Sequence, residues 1–242
     1  MSLHMICVYN FPMEVSIMKK LPYFFLLISL MIVSFGGQTM SQDDNPRTIK
    51  LPEPVKQSDM SIEECLAARR SVREYGDRAL SVDEVSQLLW AAQGITADWG
   101  ARTAPSAGGL FPIRLFVAVR DVDGIDPGSW EYLPREHSVR LVKPGDITAD
   151  LCAAALDQEC VAHGQIVLII SAIPSITEAK YGDRSMRYID TEVGAVCENI
   201  YLQCEALDLG TVSVGAFYDD EIAEIVGTDN AVRLIMPVGP NR

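Results

Sequence analysis

The chain has 242 residues, 48% of them hydrophobic, and a formal net charge of −13. That length supports one domain with a substantial core, and the acidic balance excludes the basic face that nucleic-acid binding requires. The N-terminus reads as a targeting segment. Met18-Lys19-Lys20 precede a nearly continuous apolar stretch over residues 21–35, and small and polar residues follow from Gly36 to Gln42. A basic start, a short apolar region and small residues describe a secretory signal peptide, with cleavage expected after Ser41. The apolar stretch is short for a stable membrane span. The expectation is an exported protein whose residues 1–17 precede the natural start at Met18. The alternative is an uncleaved N-terminal anchor.

Six cysteines are present, with Cys7 ahead of the signal and Cys65, Cys152, Cys160, Cys197 and Cys204 beyond it. No C-x-x-C pair or histidine cluster accompanies them, so no metal site is expected. Cys197 and Cys204 share one helical face and read as small core residues. A Cys152–Cys160 disulfide is open to an oxidising compartment, and the spacing leaves it undecided.

Residues 42–60 form a linker or extended arm, marked by Asp-Asp-Asn-Pro and two further prolines. The domain proper spans 61–242. Ser61 with Glu64 is a capping box that starts a helix over 62–70. Ser81 with Glu84 repeats the device for a helix over 82–93, with Val85, Leu88, Leu89 and Ala92 on one face and Gly94 ending it. The apolar run 113–120 is a buried strand fed by a loop rich in Ser, Ala and Gly. Residues 130–133 and 138–142 make a hairpin, and 147–160 a small amphipathic helix. Residues 166–172 form a central strand. The longest helical pattern covers 184–208, with Met186, Ile189, Val193, Val196, Ile200 and Leu207 near helical spacing. A strand over 211–215, a helix over 219–226 and a strand over 231–238 complete an α+β arrangement.

Four clusters are suited to chemistry. Arg69-Arg70-Ser71-Val72-Arg73 sets three guanidinium groups and a hydroxyl at a helix end, a set that fits a phosphate; the bland alternative is a solvated basic turn. Pro105-Ser106-Ala107-Gly108-Gly109, with Arg102 just upstream, lets backbone approach a flat ligand closely. Ser213-Val214-Gly215 offers backbone in the same way. The alternative for both is a structural turn. Lys180-Tyr181 pairs two side chains that handle protons, against the alternative of an ordinary polar loop. There is no G-x-G-x-x-G, no P-loop and no G-x-S-x-G. His4, His137 and His163 stand in positions that give a hydrolase no base.

Taken in order, these clusters with Gln93-Gly94, Glu198-Asn199 and Pro237-Val238-Gly239 resemble the FMN-dependent nitroreductase superfamily, and within it the SagB-type, azoline-oxidising dehydrogenase branch. The resemblance covers residues 61–239. It implies a nitroreductase-like α+β sandwich, a mostly antiparallel central sheet flanked by helices, and a homodimer with FMN at the interface. By the same resemblance Arg69, Arg70, Ser71 and Arg73 hold the phosphate and ribityl chain. Pro105, Ser106, Ala107, Gly108 and Gly109 lie along the flavin from the other subunit. Val214 and Gly215 bring backbone amides to its redox edge, Arg242 is the late basic contact, and Lys180 and Tyr181 act near the substrate. Arg184 and Arg187 are expected to supply a cation for Tyr181. Three features depart from the pattern: Gly109 stands where many relatives have Asn, and Gly194-Ala195 and Glu198-Asn199 stand where the branch tends to Gly-His and Gln-Asn. The implied activity passes a hydride between a small organic substrate and the flavin. The alternatives are an NAD(P)H-dependent nitroaromatic or quinone reductase and a flavin-less binding module.

Overall fold

The computed structural model describes residues 47–242. The expected signal peptide, its cleavage site, Cys7 and the start of the linker lie outside the described residues.

The elements run β1 (Thr48–Lys50), α1 (Ile62–Ala68), β2 (Leu80–Ser81), α2 (Val82–Gln93), β3 (Ile113–Val119) and β4 (Val122–Asp123). They continue with β5 (Gly128–Leu133), β6 (Ser138–Pro144), α3 (Thr148–Ala154), α4 (Glu159–His163), β7 (Ile166–Ala172) and α5 (Pro174–Tyr181). The chain ends with α6 (Ser185–Ala206), β8 (Leu209–Thr211), α7 (Asp219–Val226) and β9 (Ala231–Pro240). A seven-stranded sheet has the order β1-β6-β5-β3-β7-β9-β8, and its neighbours all pair antiparallel. β2 and β4 form a separate parallel pair.

The side-chain period of two decides what covers each face. Ile113, Leu115, Val117 and Val119 of β3 join Ile166, Leu168 and Ile170 of β7 in a core roofed by α2 and α6. Phe116 and Ala118, with Val167 and Ile169, point the other way into a core closed by α3, α4 and α7. Both faces are buried, which is why these strands read as continuous apolar runs rather than as alternating ones. Both capping boxes form: Ser61 and Ser81 each accept from the amide of the glutamate three residues on, whose carboxylate returns to the cap amide. Among the described residues no helix is long and apolar enough to cross a membrane.

Four segments differ from expectation. The helix expected over 147–160 breaks in two, because Leu156 and Asp157 adopt left-handed backbone at φ 59° and 56° and end α3. Cys152 and Cys160 are free thiols. Residues 174–181 form a helix, α5, with Pro174 in its first turn, where a proline forfeits no helical hydrogen bond. The strand expected over 211–215 stops at Thr211, and Val214 makes a single bridge to Ile235.

The fourth difference is the arm. Thr48–Lys50 pairs with β6, and Leu51 is buried. His137 holds it there. Its Nε2 lies 2.9 Å from the Pro52 carbonyl and 2.8 Å from Ser86 Oγ, and its Nδ1 lies 2.8 Å from the Tyr132 hydroxyl. A carbonyl only accepts, so Nε2 carries the proton and Nδ1 accepts from Tyr132. Farther along, Gln87 bonds both the amide and the carbonyl of Val55.

Burial pushes the His137 pKa below the ordinary imidazole value, with nearby Lys50 adding a smaller push the same way. Its folded value is therefore below its unfolded one. The clamp contributes fully above about pH 6.5 and is lost as pH falls below it. Amide exchange in β1, corrected for intrinsic rate, should accelerate between pH 7.5 and pH 5. His137→Asn keeps a side chain that tolerates the φ of 43° here but does not titrate. It should remove that pH dependence, and an unchanged dependence would place the trigger elsewhere.

Candidate functional site

α6 carries one edge of each of two polar groups. The first gathers around Tyr201. The Arg69 guanidinium lies 5.1 Å over the Tyr201 ring. The Tyr201 hydroxyl sits 3.1 Å from Ser71 Oγ and accepts the Ser213 amide at 2.8 Å. The Val72 amide donates to Thr211 at 2.8 Å, which lays the arginine-rich segment along β8. Cys197 faces Arg69 and Ser213, and burial pushes its thiol up to about 11, so it stays protonated near neutrality.

The four arginines expected to hold a phosphate divide in two. Arg69 and Arg73 make no ion pair among the described residues. Arg70 folds back to donate to the carbonyls of Ala67, Ala68 and Arg69, closing the end of α1. Arg242 pairs with Glu74 at 2.6 Å and donates to the Tyr75 carbonyl at 3.2 Å. The backbone pair divides as well. The Val214 amide is spent on Ile235 at 2.9 Å, whereas the Gly215 amide is uncommitted among the described residues.

The second group gathers around Gly108. Ser106 opens a 3-10 turn over Ala107–Gly109 and its Oγ accepts the Phe111 amide at 2.9 Å. Pro105, Gly108 and Gly109 are exposed, and Ser106 and Ala107 half-buried. Lys180 and Tyr181 are the last two residues of α5, where Gly182 turns the chain toward α6. A Cβ at Gly108 would lie 2.7 Å from both Lys180 Nζ and Tyr181 Oη. The two atoms are therefore no more than twice that distance apart, over one point of the loop. Lys180 Nζ lies 5.4 Å from the Tyr181 ring centroid, so the cation beside Tyr181 is Lys180 rather than Arg184 or Arg187.

Beneath the loop lies Glu192, which is 3% exposed and whose two oxygens have no hydrogen-bond partner among the described residues. Burial raises its pKa to about 6, against smaller downward pulls from Ser106 and Arg102. Arg102 donates to Gln93 and covers the Phe111 ring at 4.8 Å. Neither Glu192 nor Tyr201 stands out in a motif. Each falls on the stripe marked by Ile189, Val193, Val196 and Ile200, and a carboxyl on an apolar stripe is the signal that could have revealed it. Glu192 and Tyr201 are about two and a half turns apart, so the two groups lie ~13.5 Å from each other along α6.

Comparison with known proteins identifies the family of the chain. Residues 66–240 match the family described as "Nitroreductase family". A protein described as a nitroreductase from Methanocaldococcus jannaschii is 44% identical over 191 residues, covering 79% of this chain and 95% of that protein. A nitroreductase structure from Ralstonia eutropha is 28% identical with a TM-score of 0.72, covering 82% of this chain and 94% of that one. A nitroreductase from Desulfovibrio desulfuricans solved in complex with FMN shares the fold at 19% identity and a TM-score of 0.54, covering 76% of this chain and 88% of that one.

Gly108→Ala tests the convergence directly. At φ 64° an alanine costs about 1–2 kcal/mol in backbone strain, and its Cβ meets Lys180 and Tyr181 as well. The variant should lower the urea midpoint. Adding Lys180→Ala should restore part of that loss by relieving the contact, leaving the backbone cost. Equal losses in the single and double variants would show that the lysine does not press on the loop.

Proposed function

The chain belongs to the nitroreductase family, and we propose that it is an FMN-dependent dehydrogenase of a small organic substrate. The observation that carries this reading is the meeting of Lys180 Nζ and Tyr181 Oη over Gly108. Oxidising a C–H bond removes a hydride and a proton. FMN, when bound, supplies the hydride acceptor. The protein's part is to bind, to orient and to take the proton.

The residues present fit the cofactor. Arg69 and Arg73, which make no ion pair among the described residues, stand two residues either side of Ser71 in the chain, a donor set that suits a phosphate and a polyol chain. Gly215, two residues after Ser213, keeps an amide uncommitted among the described residues. Arg70 and Arg242 serve the protein's own backbone and carboxylates, so the phosphate falls to Arg69 and Arg73. The Pro105–Gly109 loop is the surface on which a flat ring would lie. Its distance along α6 from Tyr201 favours a homodimer in which each copy lends its loop to the other's arginine cluster.

Tyr181 or Lys180, whose Oη and Nζ meet over Gly108, is the proton acceptor in this reading. The Lys-Tyr pair supports placement in the azoline-oxidising branch. Export by residues 1–41 belongs to the same reading. Reduced nicotinamide is scarce outside the cytoplasm, which favours a dehydrogenase over an NAD(P)H-fed reductase.

Titration with FMN, read by flavin fluorescence, should show one FMN per chain. Arg69→Ala and Arg73→Ala should each weaken binding on the order of tenfold to a hundredfold, the worth of a charge-assisted contact, while Arg70→Ala stays within a few-fold of the parent. A chain that takes up no FMN at micromolar concentration overturns the enzyme reading. With FMN bound, rapid mixing with a reducing donor should show roughly a hundredfold slower flavin reduction in Tyr181→Phe and in Lys180→Ala. Unchanged rates in both would make the pair structural, and reduction by NADH alone would favour the reductase alternative.

A further inference from the structure

Buried polar atoms without partners concentrate beneath the Pro105–Gly109 loop. Gln93 Nε2, Arg102 Nε and both oxygens of Glu192 are all orphaned among the described residues. Arg102 already bonds Gln93, the Ser106 hydroxyl lies within reach of the Glu192 carboxyl, and Arg102 adds a weaker charge attraction. The orphans are complementary, since the first two are N–H donors and the last two are carboxyl acceptors. A neutral carboxyl is tolerated in this arrangement, whereas a buried carboxylate without donors is not. Ionisation therefore requires donors to close on it. α6 is fixed by its packing on the sheet, and the loop is the part able to move. The loop is also held in unusual backbone: Gly108, Gly109 and Phe111 have φ of 64°, 65° and 52°.

We propose that Glu192 is a positioning residue for the Pro105–Gly109 loop. Its carboxylate accepts the Arg102 Nε–H and the Ser106 hydroxyl and so seats the loop beneath Lys180 and Tyr181. The loop's use as a ligand surface rests on the FMN reading above; the seating of the loop does not. The charged and titratable groups around Glu192 come from several elements. Arg102 stands at the foot of the loop and itself feels Arg114 of β3, Tyr132 of β5 and Arg135. Lys180 and Tyr181 reach the same loop from α5. On α6 the neighbouring Asp190 is already paired with Arg233. Burial places the Glu192 titration near 6, inside a range that a pH series can scan.

The test is hydrogen exchange of the segment spanning residues 103–111 in the full chain from pH 5 to pH 8, corrected for intrinsic rate. Protection should rise severalfold along a one-proton curve in the parent and in His137→Asn, which removes the other titration in this window. Glu192→Gln should be flat, and Glu192→Asp should keep a titration. A flat parent curve overturns the proposal without any variant, as does the same step persisting in Glu192→Gln. β7 amides serve as the check that each variant is folded. FMN affinity measured over the same pH range separates the two readings. A loop step with no FMN uptake leaves Glu192 its positioning role and removes the flavin reading. FMN uptake with a flat loop curve does the reverse.

Discussion

Burial of both faces of β3 and β7 is the constraint from which the remainder of the structure follows. Neither strand offers a polar face to water, so helices must cover the sheet on both sides. α2 and α6 take one side, and α3, α4 and α7 the other. α6 has 22 residues and so extends about 33 Å, far enough to carry two sites on one rigid element. Ile189, Val196 and Ile200 lock its rotation against the sheet. That rotation puts Glu192 beneath one loop and Tyr201 beside another.

Each polar group is built from a rigid α6 side chain and a loop that comes to it. Tyr201 collects Ser71 and Ser213 from segments far apart in sequence. At the other group, Gly108 is small enough for two long side chains to meet above it. Arginine chemistry is sorted by the same packing. Arg70 and Arg242 find carbonyls or a carboxylate within the fold, whereas Arg69 and Arg73 make no ion pair among the described residues.

The two buried polar centres on the α2 and α6 side are opposites. His137 is fully bonded through Pro52, Ser86 and Tyr132, and it fastens the arm as a neutral ring. Glu192 has no hydrogen-bond partner at either oxygen among the described residues. A satisfied buried network rigidifies, and an unsatisfied one marks a place where the structure has a second arrangement within reach. The first centre belongs to the scaffold and the second lies against the candidate site.

What the sequence by itself determined is what short-range physics writes into spacing. The capping boxes at Ser61 and Ser81 were legible because donor and acceptor are three residues apart. β3 and β7 were legible because burial on two faces demands an unbroken apolar run. The loop of small residues and the Lys180-Tyr181 pair were visible as residue types, and their order carried the family likeness. Tertiary structure alone decided the rest. α5 shows weak periodicity and was hidden. The break at Leu156 and Asp157 depends on non-glycine residues entering left-handed backbone, for which no residue type is diagnostic. Arg70 and Arg73 are identical in composition and differ only in whether carbonyls lie within reach. Lys180 and Tyr181 acquire a common target only when a loop some seventy residues earlier passes beneath them. Glu192 looks like any surface glutamate until α6 is docked. A hydrogen bond within one turn is local, whereas burial and the absence of a partner are properties of the packed chain.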